Sequence, residues 1–262
     1  MDETVSPNEI ASLSEIEIAE LASPETATSA VDQISPEAEY ERFIWANLRR
    51  NYAANYLHGM LGMTGFRLVN APTFVPAYLY ILASHDLGFL PGWLRMIASP
   101  NAIVGLGLSL QQVGQVVSPI IGASQIEHRK RVLPASILMG TLMRVQILGM
   151  AVAGWFFSSA PLLAAILFFL LMLGLFSGAQ RVAFQLVLGK VIPFSRRGRL
   201  QAWRNFTGGI IAAGLTYAAG RYIIGNGAIS IPVKLLGFNV FQNGYSTTFF
   251  LAFVLTSLGL TA

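Results

Sequence analysis

The sequence predicts an all-α polytopic membrane protein with six transmembrane helices, and three observations carry that expectation. Of 262 residues, 54% are hydrophobic and 11% are charged, against about 25% charged in a soluble domain. Long apolar runs recur along the chain, the first reading AANYLHGMLGMTGFRLVNAPTFVPAYLYILA from Ala53 to Ala83. Roughly 20 apolar residues are enough to cross a bilayer core. Between the runs, the basic residues gather on alternate loops, as the positive-inside rule requires of a multi-pass chain.

The charges divide the chain. Eleven of the thirteen acids lie within residues 2–41, and the first basic residue is Arg42, so the tail carries −11 and the remainder +15. Residues 1–36 are too polar and too uniformly charged to bury a core, which predicts a disordered acidic cytoplasmic tail. Residues 37–55 set Phe43, Ile44 and Leu48 against Glu41, Arg49 and Arg50, the pattern of an amphipathic helix lying on the membrane surface.

Residues 56–262 are expected to form one bundle, with spans at about 56–83, 101–125, 133–157, 161–192, 206–224 and 245–262. Arg67 falls near the middle of the first. A cation there costs about 2.5–3.5 kcal/mol on insertion scales, so it is expected to face protein or a wet cavity. Pro72 and Pro76 each remove a backbone donor that neighbouring groups must replace. With the N-terminus cytoplasmic, eleven loop cations from Arg42 to Arg204 lie on that side, against Arg95, Arg221 and Lys234 on the other. This predicts a cell (inner) membrane protein with its N-terminus inside. The sixth span meets Ala262 with no basic anchor after it, which reads as a truncated chain.

Several chemistries find no residues to carry them. The chain has no cysteine, and His58, His85 and His128 lack metal-ligand spacing. There is no serine–histidine–acid set and no phosphate-cradling glycine loop, so neither an enzyme nor a cofactor is expected. The cations are not interleaved with aromatics, so nucleic acid is not expected as a partner. The lipid bilayer is.

Two short segments carry a family resemblance. GASQIEHRKRVLP follows the second span, with Gly122, Glu127, Arg129, Lys130 and Arg131. VIPFSRRGRLQAWRN follows the fourth, with Pro193, Arg196, Arg197, Gly198, Arg199 and Arg204. With the helix count and loop lengths, the chain resembles the N-terminal half of a major facilitator superfamily transporter. Ile126 stands at the family's acid position, with Glu127 one residue later, and Arg129 replaces the second glycine of the motif. The resemblance implies a six-helix bundle that rocks against a second six-helix half, moving a small solute by alternating access. It also implies a cytoplasmic gate in which Glu127 pairs with Arg199 or Arg204, beside Lys130 and Arg131.

In such a fold the cavity lies at mid-membrane. Arg67 and Asn70 on the first span, Gln111 and Gln115 on the second, Arg144 on the third and Arg181 on the fourth are its candidate lining. The second span presents Gly107, Gln111, Gly114, Gln115 and Ser118 at helical spacing. On the fifth, Gly208, Ala212, Thr216 and Gly220 form a small-residue stripe suited to close helix packing. No Asp or Glu falls inside a span, so the buried cations favour an anionic or strongly hydrogen-bonding substrate. The alternative is a membrane scaffold or sensor that keeps the fold without transport.

Overall fold

A computed structural model describes residues 36–70, 74–86, 92, 99–127, 132–225, 231–235 and 238–261. The expected tail, residues 1–35, lies outside the described residues. The chain divides into two compact units, one ending at Asn47 and one running from Leu48 to Ala262.

The described part of the first unit is helix α1, Pro36–Ala46. The single amphipathic helix expected over 37–55 is interrupted at Asn47. There the backbone N–H and the side-chain Nδ2 both donate to the Phe43 carbonyl, at 3.2 and 3.0 Å. A side chain competing for the helix's own acceptor favours a turn. From Leu48 onward the chain belongs to the second unit.

That unit holds α2 (Leu48–Asn70), α3 (Phe74–Asp86), α4 (Pro100–Glu127), α5 (Leu133–Phe156), α6 (Ser159–Val191), α7 (Phe194–Ala218) and α8 (Gly244–Thr261). Among the described residues, three helices are long and apolar enough to cross a membrane: Pro100–Ser124, Leu133–Phe156 and Ala160–Val191. Gly244–Leu260 is a shorter apolar helix. The first expected span divides into α2 and α3. Pro76 sits in the first turn of α3, where its missing N–H deprives no intrahelical acceptor.

The fifth expected span starts earlier than its hydropathy indicates, because the arginine-rich segment after Pro193 is already helical. Arg197 explains the sharp junction. Its Nε donates to the Ile192 carbonyl at 2.8 Å and its Nη2 to the Gly189 carbonyl at 2.6 Å. A cation thus satisfies the open carbonyls at the C-terminus of α6. α7 continues as a π-helix over Ala219–Ile224, closed by the Gly225 N–H to Gly220 carbonyl bond of 3.1 Å. Gly225 then takes φ +60°, a backbone conformation costly for any residue with a Cβ. An antiparallel hairpin, β1 (Ile231–Leu235) with β2 (Phe238–Gln242), precedes α8 in an otherwise helical fold, in keeping with the all-α expectation.

α4 and α6 meet almost backbone to backbone. A Cβ on Gly114 would lie 2.6 Å from the Leu175 nitrogen and 2.8 Å from the Leu171 oxygen. One on Gly178 would lie 2.8 Å from the Gln115 oxygen, and one on Gly174 would overlap the Gln111 carbonyl. This close van der Waals approach, made possible by small residues, supplies cohesion between the two helices. Gly208 of α7 likewise faces Met60 and Met63 of α2. The largest apolar cluster includes Leu68, Tyr78, Ile147, Met150, Ile166, Leu170 and Phe249.

Asn243 begins α8. Its Oδ1 accepts the Tyr245 N–H at 3.0 Å, and its Nδ2 donates to the Tyr78 hydroxyl at 2.6 Å. The Tyr78 ring stacks on Tyr245 with centroids 4.8 Å apart. One side chain thus caps α8 and ties it to α3. Asn243→Ala is expected to lose the cap, worth about 1 kcal/mol, and the buried bond, worth another 1 kcal/mol or so. Unfolding by SDS titration from mixed micelles should show a loss of about 2 kcal/mol. A change below about 0.5 kcal/mol would mean that water replaces both bonds.

Candidate functional site

One cavity of about 490 Å³ opens among α2, α4, α5, α6 and α7. α2 contributes His58, Gly59, Gly62, Met63, Phe66 and Arg67, which share one side of the helix by their three- and four-residue spacing. α6 contributes Ser177, Gln180, Arg181 and Phe184 by the same periodicity. Gln115 comes from α4, Met143 and Arg144 from α5, and Arg204 from α7. Four guanidinium groups therefore meet in one lining that contains no Asp or Glu among the described residues.

Their tasks differ. Arg144 is 4% exposed. Its Nε donates to the Thr256 carbonyl of α8 at 2.7 Å, and its Nη1 to the Gly140 carbonyl of its own helix at 2.6 Å. It is a tether between α5 and α8 as much as a cavity wall. Arg204 passes over Gly59, where any Cβ would overlap its side chain, and stacks its guanidinium on Phe184 at 5.3 Å. The other ring against Phe184 is His58, at 5.5 Å, whose Nδ1 lies 2.7 Å from the Gly259 carbonyl. The Arg204 Nε and the Gln180 Oε1 are buried without a hydrogen-bond partner among the described residues. Arg67 and Arg181 are exposed to the cavity mouth.

Of the candidate cavity residues, Arg67, Gln115, Arg144 and Arg181 line this pocket. Gln111 does not. It is buried in the α4–α6 seam, its carbonyl against Gly174. Gly107, Gly114 and Ser118 are buried on the same side, so that stripe of α4 is a packing face, with Gln115 at its edge. The Asn70 backbone ends α2, and its side chain lies outside the described residues.

The expected gate is reached only in part. Glu127 ends α4, but its side chain, with Lys130 and Arg131, lies outside the described residues. Arg199 is exposed on the first turns of α7, whereas Arg204 turns into the pocket. Sequence reasoning missed Phe184 and the part played by His58. The signal was present: Ser177, Gln180 and Arg181 interrupt an apolar helix at i, i+3 and i+4, and Phe184 continues that face at i+7.

No family model, curated protein or solved structure matches the chain. The case for a function therefore rests on the pocket. A cavity of a few hundred Å³ with convergent polar groups among apolar ones is the usual form of a small-molecule site. This one sets four guanidinium groups beside Met63, Phe66 and Met143. Among the described residues it offers no acid for proton relay.

Proposed function

We propose that the protein is the N-terminal six-helix half of a major-facilitator-type carrier, moving a small solute by alternating access. In this reading α2 with α3 forms the first span, and α4 to α8 form the second to sixth. A second bundle, the remaining half or another chain, completes the cavity. The protein lies in the cell membrane with the N-terminal end of α2 cytoplasmic.

The observation that carries the reading is the pocket. A cation within a membrane helix is costly unless it serves a pathway or a partner, and here four arginines line one open cavity. The charge distribution supports the orientation. Leu48 and Tyr52 of α2 pack with Leu188, Ile192 and Leu200, so the start of α2 and the α6–α7 junction share one end of the bundle. That end bears Arg49, Arg50, Lys190, Arg196, Arg197 and Arg199. Phe206, Ile210 and Tyr217 of α7 and Val116 and Ile120 of α4 are exposed apolar surface, suited to lipid or a second bundle.

The absence of cysteine makes the test direct. Gly62 lines the pocket with nothing within 4 Å of where a Cβ would stand. In Gly62→Cys, a membrane-impermeant thiol reagent should label the pocket from the cytoplasmic side in inside-out vesicles. It should also label it from the opposite side in right-side-out vesicles. Labelling confined to one side would overturn alternating access.

A further inference from the structure

We propose that the pocket selects a compact organic anion, with one carboxylate-type head on Arg67 and Arg181 and an apolar body against Met63, Phe66 and Met143. This rests on the carrier reading for its role in transport, though not for binding itself. Two of the four cations are already engaged: Arg144 spends two donors on the Thr256 and Gly140 carbonyls, and Arg204 sets its guanidinium over the Phe184 ring. Arg67 and Arg181 make no hydrogen bond to any described residue, yet both line the cavity. Each guanidinium carries five N–H donors in a planar fork that matches a carboxylate.

Charge balance points the same way. Four like charges in one lining repel one another, and among the described residues no carboxylate in that lining offsets them. The unpaired state is destabilised by that repulsion and by desolvation, and a bound anion relieves both. A neutral solute would relieve neither. The remaining walls determine the body of the ligand. Met63, Phe66 and Met143 give a flexible apolar surface suited to a ring, since thioethers pack favourably at ring edges. An inorganic anion would leave that surface unused.

The test uses the full chain purified in dodecyl maltoside, with benzoate, benzamide and acetate as probes. Binding is read by calorimetry and by the rise in melting temperature. Benzoate should bind and stabilise. Benzamide, which has the same shape without the charge, and acetate, which has the charge without the ring, should each bind at least about tenfold more weakly. Arg67→Gln and Arg181→Gln should each weaken benzoate about tenfold, the effect of removing one charge-assisted contact. Their melting temperatures without ligand should stay near the parent's, because neither residue packs in the core.

Benzamide binding as tightly as benzoate would overturn the proposal, as would unchanged benzoate affinity in both variants. Two-sided labelling at residue 62 without preference for benzoate would remove the anion site and leave the carrier standing. Benzoate selectivity with one-sided labelling would do the reverse.

Discussion

Gly174→Leu is expected to abolish the folded bundle. A Cβ at this position would overlap the Gln111 carbonyl of α4, a backbone group that no rotamer change can move aside. Overpacking an ordinary core costs about 1–3 kcal/mol because side chains adjust. Here the obstacle is main chain on both sides, and a leucine would have to prise α4 from α6 along their length. Even Gly174→Ala should be destabilising, although alanine is the better helix former by about 1 kcal/mol. Gly62→Ala supplies the contrast. A Cβ there meets nothing within 4 Å, so it should keep or slightly raise stability. Monodisperse yield and melting temperature in detergent measure all three. A Gly174→Leu protein melting within a few degrees of the parent would show that the seam contributes little.

Removing Arg144 has the second-largest expected effect, and its size depends on what replaces it. The two bonds to Thr256 and Gly140 come from a charged donor, each worth about 1.5–3 kcal/mol. Against them stands a buried guanidinium with no carboxylate in its lining, whose desolvation costs several kcal/mol. The two contributions nearly cancel, and what remains is volume. Arg144→Met keeps most of that volume and discards the charge, so its stability should stay within about 1.5 kcal/mol of the parent. Arg144→Ala also leaves a cavity and should lose about 2–4 kcal/mol. SDS-titration unfolding separates the two. If methionine were as damaging as alanine, the bonds would outweigh the desolvation.

The helical plan was legible in the sequence because apolar length is a strong signal. The runs beginning near residues 101, 133 and 161 correspond to α4, α5 and α6 within a few residues. The start of α7 was not legible. Its first turns carry Arg196, Arg197, Arg199 and Arg204, and hydropathy cannot tell a polar helix from a polar loop. What marks the junction is the grip of Arg197 on the Gly189 and Ile192 carbonyls, side-chain contacts that hydropathy does not register. The division of the first expected span into α2 and α3 was foreshadowed by two prolines that the sequence could not weigh against about thirty mostly apolar residues.

The site was readable where cations were concerned. Arg67, Arg144 and Arg181 stand out in apolar runs because burying them needs a reason. Gln111 and Gln115 could not be told apart. A stripe of glycine and glutamine suits a wet wall and a tight joint equally, and the deciding residues, Gly174 and Gly178, lie on another helix.

The glycine joint also constrains how the molecule can move. Helices separated by a layer of side chains can slide, because rotamers exchange as ridges pass one another. α4 and α6 have no such layer at Gly114, Gly174 and Gly178, so shear between them would drive peptide groups into one another. They form a single stiff beam. Any tilt of the bundle therefore carries Gln115 and Arg181 together, and the compliance must reside in the other helices that line the basin, α2, α5 and α7.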